Sequence, residues 1–252
     1  MHKPQTFKPM RRQGGFTMVE LAIVLAIAGI ILAAVLKGTD MINKAKIERM
    51  TADLKGMAAM MFEHEKRVGR MPGDCNEDGI IGYTTFTADS SNNNSHTNPY
   101  NVAGDPDTAG RCATFGLAET DSNLVWSDLR KANIVDPSRT NINLTKHQLS
   151  DFVIVGSMTG GAAPSTYAVN AIVAYGLPLW MAKGIDVAID GATRGAAAGD
   201  DLLGGGRGRI RLYSADGGPA NPEGAAWPDE TDDYQIVSII YYFDTRMLPS
   251  ST

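Results

Sequence analysis

The 252-residue chain is 43% hydrophobic and 20% charged, with a formal net charge of −5. That apolar content excludes both a fully disordered chain and a polytopic membrane protein. The acidity argues against a nucleic-acid-binding face, and two cysteines are too few for a disulfide scaffold or a four-cysteine zinc site.

Residues 1–15 carry Lys3, Lys8, Arg11 and Arg12, contain no acid and end in Gly14-Gly15. The next 21 residues, Phe16 to Leu36, hold one charge, Glu20. As a helix this run spans about 30 Å, the thickness of a bilayer core. The spacing therefore predicts one membrane-spanning segment, and the basic leader predicts a cytoplasmic amino terminus with the remainder outside. A secretory signal peptide would be cut behind small residues, yet Leu36-Lys37-Gly38-Thr39-Asp40 offers no such site. A plain anchor leaves Glu20 unexplained, since a carboxylate in lipid costs about 3 kcal/mol unless it finds a partner.

The stretch Arg11-Arg12-Gln13-Gly14-Gly15-Phe16-Thr17-Met18-Val19-Glu20-Leu21 resembles the class III signal of type IV pilins and type II secretion pseudopilins. The resemblance implies cleavage after Gly15 by a prepilin peptidase and N-methylation of Phe16. It further implies that Glu20 pairs with the Phe16 amine of a neighbouring subunit and fixes the axial register of a filament. Two opposite charges in an apolar filament core are tolerable only together. Three regions follow: a cleaved leader (1–15), a transmembrane and then filament-core helix (16–45), and a periplasmic or extracellular pilin-like domain (46–252). The implied partners are the peptidase, copies of itself or other pilins, an inner-membrane assembly platform and the bacterial inner membrane, with no nucleic acid. The protein would sit in that membrane as a single pass before joining a periplasmic or cell-surface filament. No proline occurs between Phe16 and Met71, whereas many major pilins carry one in the apolar segment. Pilin, minor pilin acting as an adhesive tip, and pseudopilin therefore all stay open.

Beyond Leu36, Ile47, Met50, Leu54, Met57 and Met61 recur at spacings of three and four. This stripe predicts that one helix continues to about Val68 with its outer half packed on a globular domain. The methionines read as core, and His64, between Glu63 and Glu65, reads as solvated. Gly69, Pro72 and Gly73 end the helix.

Asp74-Cys75-Asn76-Glu77-Asp78-Gly79 places oxygen side chains at alternate positions before a glycine. This matches the first half of an EF-hand loop, with Asp74, Asn76, Asp78 and the Ile80 carbonyl as calcium ligands. The twelfth position is Thr85 where a bidentate glutamate is needed, so Asp89, Asp105 or Asp107 would have to complete the shell. The alternative is an Asx-rich turn that holds no ion. Asp186, Asp190, Asp200 and Asp201 form a weaker acidic group. Cys75 and Cys112 fall on the outer, oxidising side, where two cysteines tend to pair. A bridge would close a loop of about 37 residues and stabilise by about 4 kcal/mol in the chain-entropy model. Two buried free thiols are the alternative.

Further on, Asp121-Ser122 predicts the cap of a helix through Leu124, Val125, Leu129 and Ala132, ending near Asn133. Strands are expected at 152–158, 166–175, 210–213 and 235–243, with a second helix opening at Leu177-Pro178 and closing at Gly191. Gly204-Gly205-Gly206-Arg207-Gly208 lacks the lysine and hydroxyl residue of a phosphate loop. Without strand–helix alternation, the expected fold is α+β: a long helix against a small antiparallel sheet with long loops, as in type IV pilins. Met71-Pro72-Gly73-Asp74, the Trp126 helix and Ile185-Asp186 with Ile189-Asp190-Gly191 resemble, more loosely, a group of large bacterial pilin-like proteins. A membrane-anchored enzyme would have to use His96 or His147, and no nucleophile motif frames either. The loop at 84–111 or the glycine-rich segment could contact a surface or a secreted substrate alongside assembly.

Overall fold

The computed structural model describes residues 15–83, 122–149, 152–159, 167–191, 208–213, 235–244 and 248–249. The chain divides by internal packing into two units, one through Asn43 and one from Lys44. Helix α1 (Met18–Val68) contributes to both.

In the first unit every residue from 15 to 37 is exposed. Leu21, Ile27, Ile31, Leu32 and Leu36 are among the apolar side chains left open. α1 is the one helix among the described residues long and apolar enough to cross a membrane. An apolar surface of this extent requires lipid or protein against it.

In the second unit the expected stripe of α1 is buried: Met50, Leu54, Met57, Ala58 and Met61 share one core with the sheet. The stripe also takes in His64, which is 2% exposed. The solvated placement expected from its acidic neighbours is therefore corrected. Three residues beyond Met61, position 64 lies on the inward face whatever flanks it.

The sheet is formed by β1 (Val153–Thr159), β2 (Tyr167–Pro178), β3 (Ile210–Tyr213) and β4 (Ile236–Tyr242) in the order β1-β2-β4-β3. All neighbours are antiparallel, and β5 (Leu248–Pro249) pairs with β2. Together with α1 this is the expected α+β arrangement. β2 is longer than its alternation suggested. Its register against β4 shifts between Ala174 and Leu177, and Gly176 there has φ +69°. A bulge built on a left-handed glycine lets one strand absorb the irregularity.

α2 (Leu124–Lys131) buries Leu124, Val125, Trp126 and Leu129. It starts from Asn123, which makes no side-chain cap because its amide oxygen accepts from Asn141 Nδ2 at 2.6 Å; Asp121 lies outside the described residues. α3 (Asn141–Thr145) is capped by Thr140, whose hydroxyl accepts from the Asn143 N–H. α4 (Leu179–Asp190) follows β2 at Pro178 and closes at Gly191 (φ +89°), as the sequence indicates. A Cβ on Gly184 of α4 would overlap the Ile47 side chain, so the glycine permits close approach to α1.

Candidate functional site

The first candidate site is the start of α1. Thr17 precedes the first helical residue, and its Oγ1 accepts from the Glu20 N–H at 3.2 Å. In return Glu20 Oε2 accepts from the Thr17 N–H at 2.9 Å and from the Thr17 hydroxyl at 3.0 Å. This reciprocal pair is a capping box, satisfying two of the amides a helix start leaves open. The carboxylate thus points back toward the amino end of its own chain. Thr17 is the residue sequence reasoning missed, although the spacing Thr-x-x-Glu before an apolar run is the signal for it. Gly15 and Phe16 sit just ahead of the box, non-helical and exposed. The remaining leader, 1–14, lies outside the described residues.

The second candidate site is the loop after α1. Gly73 has φ +78°, donates its N–H to Asp128 Oδ2 at 3.0 Å, and has no room for a Cβ against Val125. Arg70 Nη1 meets the same oxygen at 2.9 Å and also donates to the carbonyl of Asp74 at 2.8 Å. These contacts tie the loop entrance to α2. At the exit, Asn170 of β2, fully buried, accepts from the Ile81 N–H and donates to the Gly79 carbonyl at 2.8 Å. Ser157 of β1 donates its hydroxyl to the Ile81 carbonyl at 2.7 Å. The loop is therefore pinned at both ends, by residues far away in sequence that its own composition does not announce.

Within the loop, Asp74 is 1% exposed, and its Oδ2 accepts from the Gly79 N–H at 2.9 Å. Its Oδ1 has no hydrogen-bond partner among the described residues. Burial, followed by the nearby Asp78 charge, pushes the Asp74 carboxyl above the usual carboxylate range, against the pull of hydrogen bonds from Gly79 and its neighbours. Asn76 and Asp78 are joined by an amide–carboxylate bond of 2.9 Å, and Asp78 Oδ1 accepts from the Ile80 N–H at 2.8 Å. Among the described residues no three His, Cys, Asp or Glu side chains form a metal-sized cluster. Thr85, Asp89, Asp105, Asp107 and Cys112, the partner expected for Cys75, lie outside the described residues, as do Asp200 and Asp201 of the weaker acidic group.

Of the histidines considered for catalysis, His96 is outside the described residues. His147 is buried, with Nε2 donating to the Tyr175 carbonyl at 2.7 Å and Nδ1 accepting from the Leu149 N–H at 3.2 Å. Both nitrogens serve the main chain, which fixes a neutral tautomer.

No curated protein and no solved structure matches the chain. A family model does match at the amino terminus, over the Gly15–Phe16 junction, the capping box and the apolar run of α1. Residues 10–36 carry the prokaryotic N-terminal methylation motif, the prepilin signal of type IV pilins and pseudopilins.

Proposed function

We propose that the chain is a structural subunit of a type IV pilus-like filament. It is cut after Gly15 by prepilin peptidase, methylated at Phe16 and assembled through α1, with Glu20 paired to the Phe16 amine of a neighbouring copy. What carries this reading is the methylation motif lying over an apolar helix surface that is exposed on all sides and holds one carboxylate. Before assembly that surface belongs in the inner membrane, with the leader cytoplasmic; afterwards it packs on other subunits. Residues 16–45 then form the filament core, and 46–252 the outer domain, where Cys75 and Cys112 form a disulfide. The missing proline between Phe16 and Met71 leaves a type II secretion pseudopilin and a minor pilin acting as an adhesive tip as further readings, both built by the same chemistry.

The capping box supplies a way to separate Glu20's two roles. Glutamine at position 20 keeps the box but removes the charge, whereas Thr17→Ala breaks the box and keeps the charge. Glu20→Gln is expected to be processed and to reach the membrane, yet to enter filaments about tenfold less than the parent, because one partner of a desolvated pair is gone. Thr17→Ala should lose about 1 kcal/mol of helix stability and still assemble. Parent-like incorporation of Glu20→Gln would rule out the charge pair.

A further inference from the structure

We propose that the loop from Asp74 to Ile80 is a calcium site, with Asp74 Oδ1 as its innermost ligand. The first support is that oxygen itself. It is enclosed and without a partner among the described residues, while its twin is held by Gly79. Burying an uncompensated carboxylate oxygen is costly, and a cation is the group that removes the cost. Among the described residues the basic side chain at the loop entrance, Arg70, is directed to Asp128 and to main-chain carbonyls and does not meet it.

The second support is the geometry around it. Gly79, five residues on, takes φ +87°, and Glu77 takes φ +63°, so the chain coils back over Asp74. Asp78 Oδ2 accepts from the Asn76 amide at 2.9 Å, in an exposed bond that a cation can replace cheaply. The proposed ligand set is the Asp74 and Asp78 carboxylates, the Asn76 amide oxygen, which accepts from the Asp78 N–H at 3.2 Å, and the Ile80 carbonyl, which together are hard-oxygen chemistry with adjustable geometry. It suits calcium, and it suits magnesium less because that ion demands a near-ideal octahedron. Because Asn170 and Ser157 fasten the loop to β1 and β2, ion binding there stabilises the sheet domain and not merely the loop.

The test uses the full chain in detergent, stripped with EGTA and then titrated with calcium chloride, with magnesium chloride as a parallel arm. Without a bidentate glutamate at the twelfth position, half-saturation should fall at about 0.1–1 mM, as in extracellular modules. The Tm should rise by roughly 5 °C at saturating calcium and much less with magnesium. Asp74→Asn retains the shape and the Gly79 bond, and Asp78→Asn alters a half-buried position, so both variants should fold. Each should need at least about tenfold more calcium for the same rise, a factor set by the loss of one charged ligand. An unchanged Tm in the parent, an equal rise with magnesium, or an undiminished response in both variants would overturn the proposal.

Discussion

Glu20 has one partner within its own chain and is proposed to take another in a filament. In the single chain its carboxylate closes the start of α1 through Thr17; in a filament it is proposed to turn to a neighbour's amine. The carboxylate and the apolar run were legible from spacing alone, whereas its intrachain partner follows from the capping pattern. His64 was misread for a different reason. Its acidic neighbours Glu63 and Glu65 suggested solvent, but helix periodicity outranks the nearest neighbours in deciding which way a side chain faces. Its Nδ1–H now donates to the Arg70 carbonyl at 3.0 Å. Desolvation lowers its pKa from the ordinary 6.5, with the Arg70 charge acting in the same direction and the Arg70 carbonyl and Asp128 against it. The unfolded chain therefore binds a proton more readily than the folded one. The stability contributed by neutral His64 is complete above the unfolded value and is lost as pH falls through and below about 6.5. Denaturant titrations at about pH 7.5 and about pH 5.5 should show a loss on acidification that is smaller in His64→Gln. Parallel losses in both proteins would mean that another group titrates.

At the level of elements, long periodic segments were readable and short polar ones were not. The buried stripe of α1, the β4 run and the Pro178–Gly191 limits of α4 all follow from apolar spacing and from backbone-restricted residues. α3 is five residues long, with three of them polar, and visible only through its Thr140 cap. β5 is two residues and exists because β2 extends far enough to pair with it. Gly184 shows a related limit: nothing near it in sequence announces Ile47, which only the fold brings against it. Gly184→Val should therefore destabilise the domain by about 1–3 kcal/mol through overpacking. Combining it with Ile47→Ala should recover part of that loss by making room. A valine variant with unchanged Tm would show that α4 and the outer part of α1 are not in close contact there.

For the whole molecule, the formal charge of −5 conceals a strong asymmetry. Residues 1–15 contribute four cations and no acid, so the proposed cleavage would take the charge from −5 to −9. Acidity on that scale would disfavour phosphate backbones as partners of a chain so processed. The apolar excess is likewise concentrated, in an exposed helical run that makes sense only against lipid or other subunits. The candidate assembly site was legible almost entirely in sequence because a processing enzyme must read it as sequence. The pinning of the acidic loop was not, because Asp128, Ser157 and Asn170 reach it from elements far along the chain. The central claim is that this chain is a processed filament subunit, and intact-mass analysis of protein extracted from membranes that contain the peptidase tests it most directly. A single species beginning at N-methyl-Phe16, with the leader through Gly15 gone, is expected. A chain that keeps Met1 and the full leader, or one cut beyond Leu36, would contradict it.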